Sequence, residues 1–245
     1  MTVDFFQKRY GYEVEGVWMP RVTAITSLFS HMNQIPGISA YAEWGNEVHE
    51  GIAGILKGES MDPQSRIAPS LRAFSLWMHS ISFETRKEDI ERRVSDKHHR
   101  YAGTIDLFCS IDGKQGILDI KTGTEIRKEF FLQTAAYLNA YNQEMSGAQP
   151  AETRWILRVD QYKECLGCEA KLRSRARKPS IAGGNPFCNH QWGEAQGSTE
   201  LKELEGYEHD LEAFFAAKEV WEWQHRDILR RVPGYPARMF QKMLI

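Results

Sequence analysis

The sequence predicts an α/β fold in which helices flank a central mixed β-sheet. Three consecutive segments carry this prediction: a β-hairpin at 101–122, a mostly apolar helix at 129–144 and another strand at 153–159. A helix that follows a strand packs on a face of the sheet, which is the layered arrangement of mixed α/β domains. The 245 residues, of which 42% are hydrophobic, are enough for one such domain, covering 1–245, with an insertion.

The segments before the hairpin fit the same architecture. Residues 12–19 predict a short hairpin around a Glu-Gly turn, and a helix is predicted at 22–28. Apolar residues at helical spacing predict two longer helices at 39–57 and 71–82. The alternating residues at 90–96 then predict a strand.

The 101–122 hairpin is the segment on which the chemistry depends. Asp112-Gly113 at its centre is typical of a type I′ turn, because both central residues of that turn need a positive φ. With this two-residue turn, Asp106 lies directly opposite Asp119. Like charges that face each other across two strands are destabilising unless something neutralises them, and a divalent cation would do so.

Side-chain alternation places Lys121 on the same face as both aspartates. Five apolar side chains are expected on the opposite face: Ile105, Leu107, Cys109, Leu118 and Ile120. Two carboxylates beside an ammonium suit phosphodiester cleavage, because a hard cation held by carboxylates polarises the phosphoryl group and generates hydroxide from bound water. Lys121 would orient or deprotonate that water, or offset charge on the phosphorane. The alternative is a surface hairpin with solvated charges.

The same residues carry a family resemblance. GTID at 103–106, followed by ILDIKTG at 117–123, resembles the core of the PD-(D/E)xK nuclease superfamily. More narrowly, it is similar to the RecB- and Cas4-like exonuclease branch, which includes phage-encoded exonucleases. GNEVHE at 45–50 matches the G-x-x-x-H motif of that branch, and QTAAY at 133–137 matches its Q-x-x-x-Y motif. The four marks occur in the family's order across 22–159.

The resemblance implies a restriction-endonuclease-like core and a metal-dependent deoxyribonuclease that resects DNA ends in recombination, repair or phage DNA processing. It implies that Asp106, Asp119 and Lys121 are catalytic. It also implies that Asp106 and Asp119 hold Mg²⁺ or Mn²⁺ together with His49 and the carbonyl of Ile120. The alternatives are a Cas4-like CRISPR-associated nuclease and a non-catalytic DNA-end-binding module.

Three further residues have both a functional and a structural interpretation. Gln133 and Tyr137 share one helix face, and the resemblance implies that they contact the DNA backbone or position the water-holding lysine. Alternatively, Tyr137 is a core tyrosine that forms a hydrogen bond with the glutamine. Glu91 occupies a place where the resembled nucleases often carry an acidic residue, but a solvated glutamate fits the pattern equally well.

Residues 160–198 differ in character from the core and predict an insertion. Cys165-x2-Cys168 and the later Cys188-x-His190 supply the four ligands that a structural zinc ion needs, and free thiols are the alternative. Cas4-like nucleases hold an iron–sulfur cluster with one cysteine before the core and three after it. No cysteine precedes the core here, which argues against that cluster.

A basic run lies within the insertion: Lys171, Arg173, Arg175, Arg177 and Lys178. It predicts either a solvated loop or an arm that tracks DNA phosphates. The net charge of the chain is -2, so DNA binding has to depend on such a local strip and on metal-bridged phosphates.

The remaining expectations concern the C-terminus and the surroundings of the protein. A long amphipathic helix is predicted at 207–231, with an irregular tail after it. No stretch approaches the 18 apolar residues of a membrane span and no export signal is present, so we expect no membrane partner and a cytoplasmic location, in the host if a phage encodes the protein. A homo-oligomer and a recombination or single-strand annealing partner remain open.

Overall fold

The computed structural model describes residues 1–29, 38–145, 150–176 and 179–235, and its centre is a mixed sheet with helices on both faces. The helices of this described part are α1 (Val3–Tyr10), α2 (Val22–Thr26), α3 (Ile38–Lys57), α4 (Ala68–His79), α5 (Lys128–Glu144) and α6 (Tyr207–Leu229). The strands are β1 (Gly11–Val14), β2 (Val17–Pro20), β3 (Phe83–Asp96), β4 (Tyr101–Ile111), β5 (Lys114–Lys121), β6 (Thr153–Cys165), β7 (Lys171–Arg173), β8 (Ser180–Ala182) and β9 (Trp192–Glu203).

Strands β3 to β9 form a seven-stranded sheet within the described residues, and β1 and β2 form a separate hairpin. The order in the large sheet is β3-β4-β5-β6-β7-β8, with β9 paired to β6. β5 and β6 are parallel, and the other described pairs are antiparallel. Parallel neighbours need a crossover connection, which here contains α5. The predicted α/β class with a central mixed sheet and flanking helices is confirmed.

Helices on the two faces bury separate clusters of apolar side chains. On one face α2, α5 and α6 pack on the sheet, with Ile25, Ala136, Tyr141, Phe214 and Trp221 among the buried residues. On the other face α3 and α4 do so, with Val48, Ile52, Leu71 and Phe74. Each fully buried large apolar side chain stabilises the fold by about 1.5–3 kcal/mol. As a result, α3 and α5 approach β4 and β5 from opposite faces.

The central hairpin forms with its predicted turn. Ile111 pairs with Lys114, and the two turn residues, Asp112 and Gly113, have φ values of 50° and 85°. These positive values are those that a type I′ turn requires. The predicted register is therefore confirmed from Ile111–Lys114 to Leu107–Leu118, and the predicted pairing of Asp106 with Asp119 lies beyond the last of these pairs.

The prediction that Ile105 and Leu107 share one face of the sheet is wrong. Leu107 packs with the α3 and α4 cluster, whereas Ile105 packs with the α5 cluster. Pairing of β4 with β5 ends at Leu107, and the neighbouring Glu91 of β3 has a left-handed φ of 53°. Such a local irregularity interrupts the alternation of side chains and re-aims them, here next to Asp106.

The predicted boundaries of the insertion at 160 and 198 fall inside strands. β6 continues to Cys165, and β9 runs back beside it from Trp192. The polar residues after Val159 suggested that the strand ends there, but Asp160 is buried and its charge is compensated by arginines. The Cys/His-containing segment is thus carried at the end of a long β6–β9 pair.

The bounds of the five predicted helices match to within three residues, with α4 beginning earlier than expected at Ala68, whereas α1 was not predicted. Within the described part of the chain, no helix combines the length and the apolar character that a membrane crossing requires. Two predicted features lie outside the described residues: Arg177 and Lys178 of the basic run, and the tail beyond Tyr235.

Candidate functional site

Three elements bring polar side chains to one cleft of about 490 Å³ beside the central hairpin. The cleft is lined by Asn46, His49, Glu50, Ala53, Gly54, Lys57, Glu59, Glu91 and Asp106. His49 comes from α3, Glu91 from β3 and Asp106 from β4, and one ligand atom of each lies within 4.8 Å of the others. Two carboxylates and an imidazole at this separation could hold a metal ion.

Asp106 is fixed by two neighbours. Its Oδ2 accepts a hydrogen bond of 2.6 Å from the backbone N–H of Ile120, and its Oδ1 lies 3.4 Å from Nδ1 of His49. Burial raises the pKa of Asp106, but the His49 imidazole and the Lys121 ammonium outweigh burial and hold this pKa below its ordinary value. Burial conversely lowers the pKa of His49, and the Asp106 carboxylate more than reverses this effect, so the pKa of His49 is raised.

Asp119 is the more deeply buried carboxylate, with an exposed fraction of 1%. Its Oδ1 accepts a hydrogen bond of 3.1 Å from Nε2 of Gln133, and its Oδ2 lies 2.7 Å from Nζ of Lys121. Burial raises the pKa of Asp119 to about 6, and the Lys121 ammonium offsets only part of that rise because Asp106 adds to it. The negative charge of the Asp119 carboxylate is therefore only partly compensated by its neighbours.

Gln133 of α5 contacts this carboxylate directly, and Tyr137 of the same helix contacts Gln133. Gln133 accepts a hydrogen bond of 3.3 Å from Nζ of Lys121 and donates one of 3.1 Å to the Tyr137 hydroxyl. The Lys121 ammonium also lies 4.7 Å from the centre of the Phe130 ring. Both Gln133 and Tyr137 are buried, so their contacts favour a role in positioning Lys121 and Asp119 over direct contact with DNA.

Close packing of α3 against the end of β5 keeps His49 near the hairpin. A Cβ on Gly45, one turn before His49, would lie 3.3 Å from Oγ1 of Thr122. That distance is shorter than ordinary van der Waals contact, so a larger residue would require Thr122 or the helix to shift by a few tenths of an ångström.

The predicted site residues do not all form one ligand group. Asp119 lies outside the set formed by His49, Glu91 and Asp106, and contacts Lys121 and Gln133. Ile120 lies between the two aspartates and contributes its N–H to Asp106. Glu91, which the sequence left open, joins the predicted residues.

Sequence reasoning missed the polar wall of the cleft on α3. Asn46, Glu50 and Lys57 line it together with His49. Positions 46, 49, 50, 53 and 57 recur at helical spacing, so the periodicity around His49 was the signal that could have identified them.

The predicted cysteine and histidine ligands are brought together at the end of the β6–β9 pair. Sγ of Cys165 lies 3.8 Å from Sγ of Cys188, and Sγ of Cys168 lies 3.4 Å from Nδ1 of His190. One ligand atom of each residue lies within 4.8 Å of the other three. Cys165 is buried and the others are half-buried, so this cluster could hold a metal ion such as zinc.

Both interpretations of the basic run are wrong for Arg173 and Arg175. These side chains are neither solvated nor free to track phosphates, because they are buried against Asp160. Arg173 donates from Nη2 at 2.7 Å, Arg175 also binds the carboxylate, and Arg158 lies 3.2 Å from it. Burial raises the pKa of Asp160, but the Arg173 hydrogen bonds and the other guanidinium groups outweigh it, so this pKa is lowered.

No protein-family model matches this sequence, and no curated protein matches it significantly. A function for this chain therefore has to be inferred from its motifs and from the geometry around the central hairpin. That geometry joins elements that are far apart in sequence, since α3, β3, β4, β5 and α5 all contribute.

Proposed function

We propose that this protein is a metal-dependent DNA exonuclease of the RecB/Cas4-like PD-(D/E)xK type, which hydrolyses phosphodiester bonds at DNA ends in recombination, repair or phage DNA processing. The observation that carries the proposal is the buried Asp119 beside Asp106, with burial raising the pKa of Asp119 to about 6. A buried carboxylate whose charge is only partly compensated, next to a second carboxylate, is suited to a divalent cation. The restriction-endonuclease-like core implied by the resemblance stays a prediction.

The donor atoms fit Mg²⁺ or Mn²⁺. Hard cations prefer carboxylate and carbonyl oxygens, and an imidazole is better suited to Mn²⁺ than to Mg²⁺. His49, Glu91 and Asp106 are close enough to one another to hold the ion. The resemblance adds Asp119 and the Ile120 carbonyl as ligands, and these two stay a prediction because the Asp119 oxygens contact Lys121 and Gln133. When bound, the ion would polarise the scissile phosphate and lower the pKa of a bound water.

Lys121 has the contacts that a water-orienting group needs. Asp119 and Gln133 fix its ammonium from two sides, at 2.7 and 3.3 Å, while its side chain keeps an exposed fraction of 17%. An ammonium held in this way would donate a hydrogen bond to the attacking water and offset charge that develops on the phosphorane. Tyr137 supports this arrangement through Gln133.

Digestion of end-labelled linear DNA and closed circular DNA, with Mg²⁺ or Mn²⁺, tests the proposal. The variants are Asp119→Ala and Lys121→Ala, and Lys114→Ala on the same strand is the matched control, since Lys114 pairs with Glu203 outside the site. We expect linear DNA alone to be degraded, and each site substitution to lower the rate by roughly 10³-fold, or about 4 kcal/mol. Lys114→Ala should keep the wild-type rate.

Other outcomes point to the alternatives. A wild-type protein that is inert on every DNA form but binds DNA ends tightly would be a non-catalytic binding module. Cleavage that survives both site substitutions would place catalysis elsewhere. Rapid cutting of closed circles would indicate an endonuclease, and an iron–sulfur absorption band would favour the Cas4-like interpretation.

A further inference from the structure

Among the described residues of the segment 166–191, the only buried apolar residue is Ala170. Leu166, Ile181 and Phe187 are exposed to 77%, 54% and 92%. Its two strands, β7 and β8, have three residues each, and β7 is joined to β6 by two residue pairs. Small elements without a core usually depend on a disulfide or a metal ion.

The distances within the Cys/His cluster match a single tetrahedral ion. Zinc–sulfur bonds of about 2.3 Å place two sulfurs of a tetrahedron about 3.8 Å apart, and a sulfur and a nitrogen slightly closer. The separations here are 3.8 Å for Cys165 and Cys188, and 3.4 Å for Cys168 and His190. The cysteines are free thiols, so no disulfide takes the place of an ion.

The backbone around the cluster is already shaped for metal binding. The N–H of Cys165 donates to the carbonyl of Ala170 at 2.8 Å, and the N–H of Glu169 donates to the carbonyl of Cys165 at 3.0 Å. This tight turn carries both Cys165 and Cys168. Gly184 packs against it with a φ of 73°, and a Cβ there would lie 2.8 Å from Sγ of Cys168.

The second pair of ligands is held by its own contacts. The N–H of Cys188 donates to the carbonyl of Asn185 at 3.1 Å. The ring of His190 lies against Trp192, with 4.7 Å between the ring centres, which orients the imidazole. The N–H of Leu166 donates to the carbonyl of Gln191 at 2.9 Å and so joins the two halves of the site.

From these contacts we infer that Cys165, Cys168, Cys188 and His190 bind one structural zinc ion, which fastens the segment carrying β7 and β8 to the end of β6 and β9. Three thiolates and one neutral imidazole form a closed tetrahedral set that leaves no position for substrate or water. The ion stabilises the loop that delivers Arg173 and Arg175 to Asp160. This inference is independent of the proposed nuclease activity.

Elemental analysis of the purified full-length protein tests the inference. We expect one zinc ion per chain in the wild type and a loss of at least about 80% of it in Cys188→Ser and in His190→Ala. Cys109→Ala is the matched control, because Cys109 is a buried cysteine of the central hairpin, and it should keep its zinc. Replacement of zinc by Co²⁺ should give the absorption of a tetrahedral thiolate site.

A second measurement does not depend on variants that fold. A mercurial that binds thiols should release zinc from the wild type, as read by a zinc indicator. It should also speed proteolysis within 166–190 by about tenfold or more while β3 to β6 stay intact. Added Zn²⁺ with excess thiol should restore protection, and Mg²⁺ should not. Protein without zinc, with bound iron, with a Cys165–Cys188 disulfide, or with unchanged proteolysis after zinc release would overturn the inference.

Discussion

Asp119 on β5 and Asp160 on β6 are both carboxylates inside the sheet, with exposed fractions of 1% and 2%, but their neighbours differ. Asp160 has three guanidinium groups around it, whereas Asp119 has one ammonium and one amide. The pKa of Asp160 is accordingly lowered, because its hydrogen bonds to Arg173 and the nearby guanidinium groups outweigh burial. At Asp119 burial dominates and raises the pKa to about 6.

Under the proposed function, this difference separates a structural carboxylate from a functional one. Burying an ionised carboxylate is costly unless it is paired and hydrogen-bonded. Asp160 meets this condition through side chains of the protein alone. The protein side chains around Asp119 do not compensate its charge fully. A divalent cation would supply the missing positive charge during function. Active sites commonly keep such destabilised groups at the expense of stability.

The largest expected effect is the loss of stability in Asp160→Asn. This substitution leaves Arg173 and Arg175 buried without their anion, and breaking a buried ion pair by removing one partner costs about 3–5 kcal/mol. Urea denaturation, monitored by tryptophan fluorescence, measures the change. If Asp160→Asn unfolds at the wild-type midpoint, the arginines have other partners and the comparison fails.

Asp119→Asn is the matched substitution and should change stability in the opposite direction. The amide removes the buried charge, still accepts the hydrogen bond from Gln133, and leaves Lys121 with its exposed fraction of 17%. We expect the free energy of unfolding to rise by about 1–2 kcal/mol without added divalent cations. A destabilisation like that of Asp160→Asn would show that Lys121 compensates the Asp119 charge fully.

The pH dependence of these two variants should differ as well. Asp119 has its pKa raised to about 6 in the folded state, against roughly 3.9 when unfolded, so folding takes up a proton between these values and stability falls as pH rises. The gain from Asp119→Asn should therefore be complete above pH 7 and shrink to about half at pH 5. Denaturation curves at pH 5 and pH 8 give this comparison.

Asp160→Asn provides the control for that measurement. The pKa of Asp160 is lowered by its arginines, so its stabilising effect is present above the unfolded value and is lost only as pH falls below about 4. Its cost should be the same at pH 5 and pH 8. If the stability gained from Asp119→Asn is also the same at pH 5 and pH 8, Asp119 is ionised at both pH values. Asp119 and Asp160 would then not differ in the way described above.

Local signals explain what could be predicted from the sequence. The Asp112-Gly113 turn determined which residues pair next to it, because a two-residue turn with positive φ values sets the register of the adjoining pairs. The Cys165-x2-Cys168 spacing likewise predicted part of a cluster that could hold a metal ion, since these two cysteines belong to one turn. The mixed sheet followed from the order of strands and helices.

Long-range pairing explains what could not be predicted. Arg173 looked like a solvated or DNA-binding side chain because its partner, Asp160, is 13 positions away on another strand. The left-handed φ of 53° at Glu91 carries no sequence signal, and it accompanies the change of face at Ile105. Both errors depend on backbone positions that only the assembled sheet determines.

The smallest predicted effect concerns the outermost arginine of the Asp160 cluster. Arg158 has a side-chain exposed fraction of 16% and divides its contacts between Asp160 at 3.2 Å and the exposed Glu200 at 2.8 Å. Its replacement by glutamine should cost no more than about 1 kcal/mol, as for ion pairs near the surface, because Asp160 keeps Arg173 and Arg175. Urea denaturation of Arg158→Gln beside Asp160→Asn tests this ranking.

Equal losses of stability in the two variants would mean that all three arginines act as one unit, and that the charge of Asp160 needs all of them. A small loss would mean that two buried guanidinium groups suffice for one buried carboxylate, which is the compensation that Asp119 lacks.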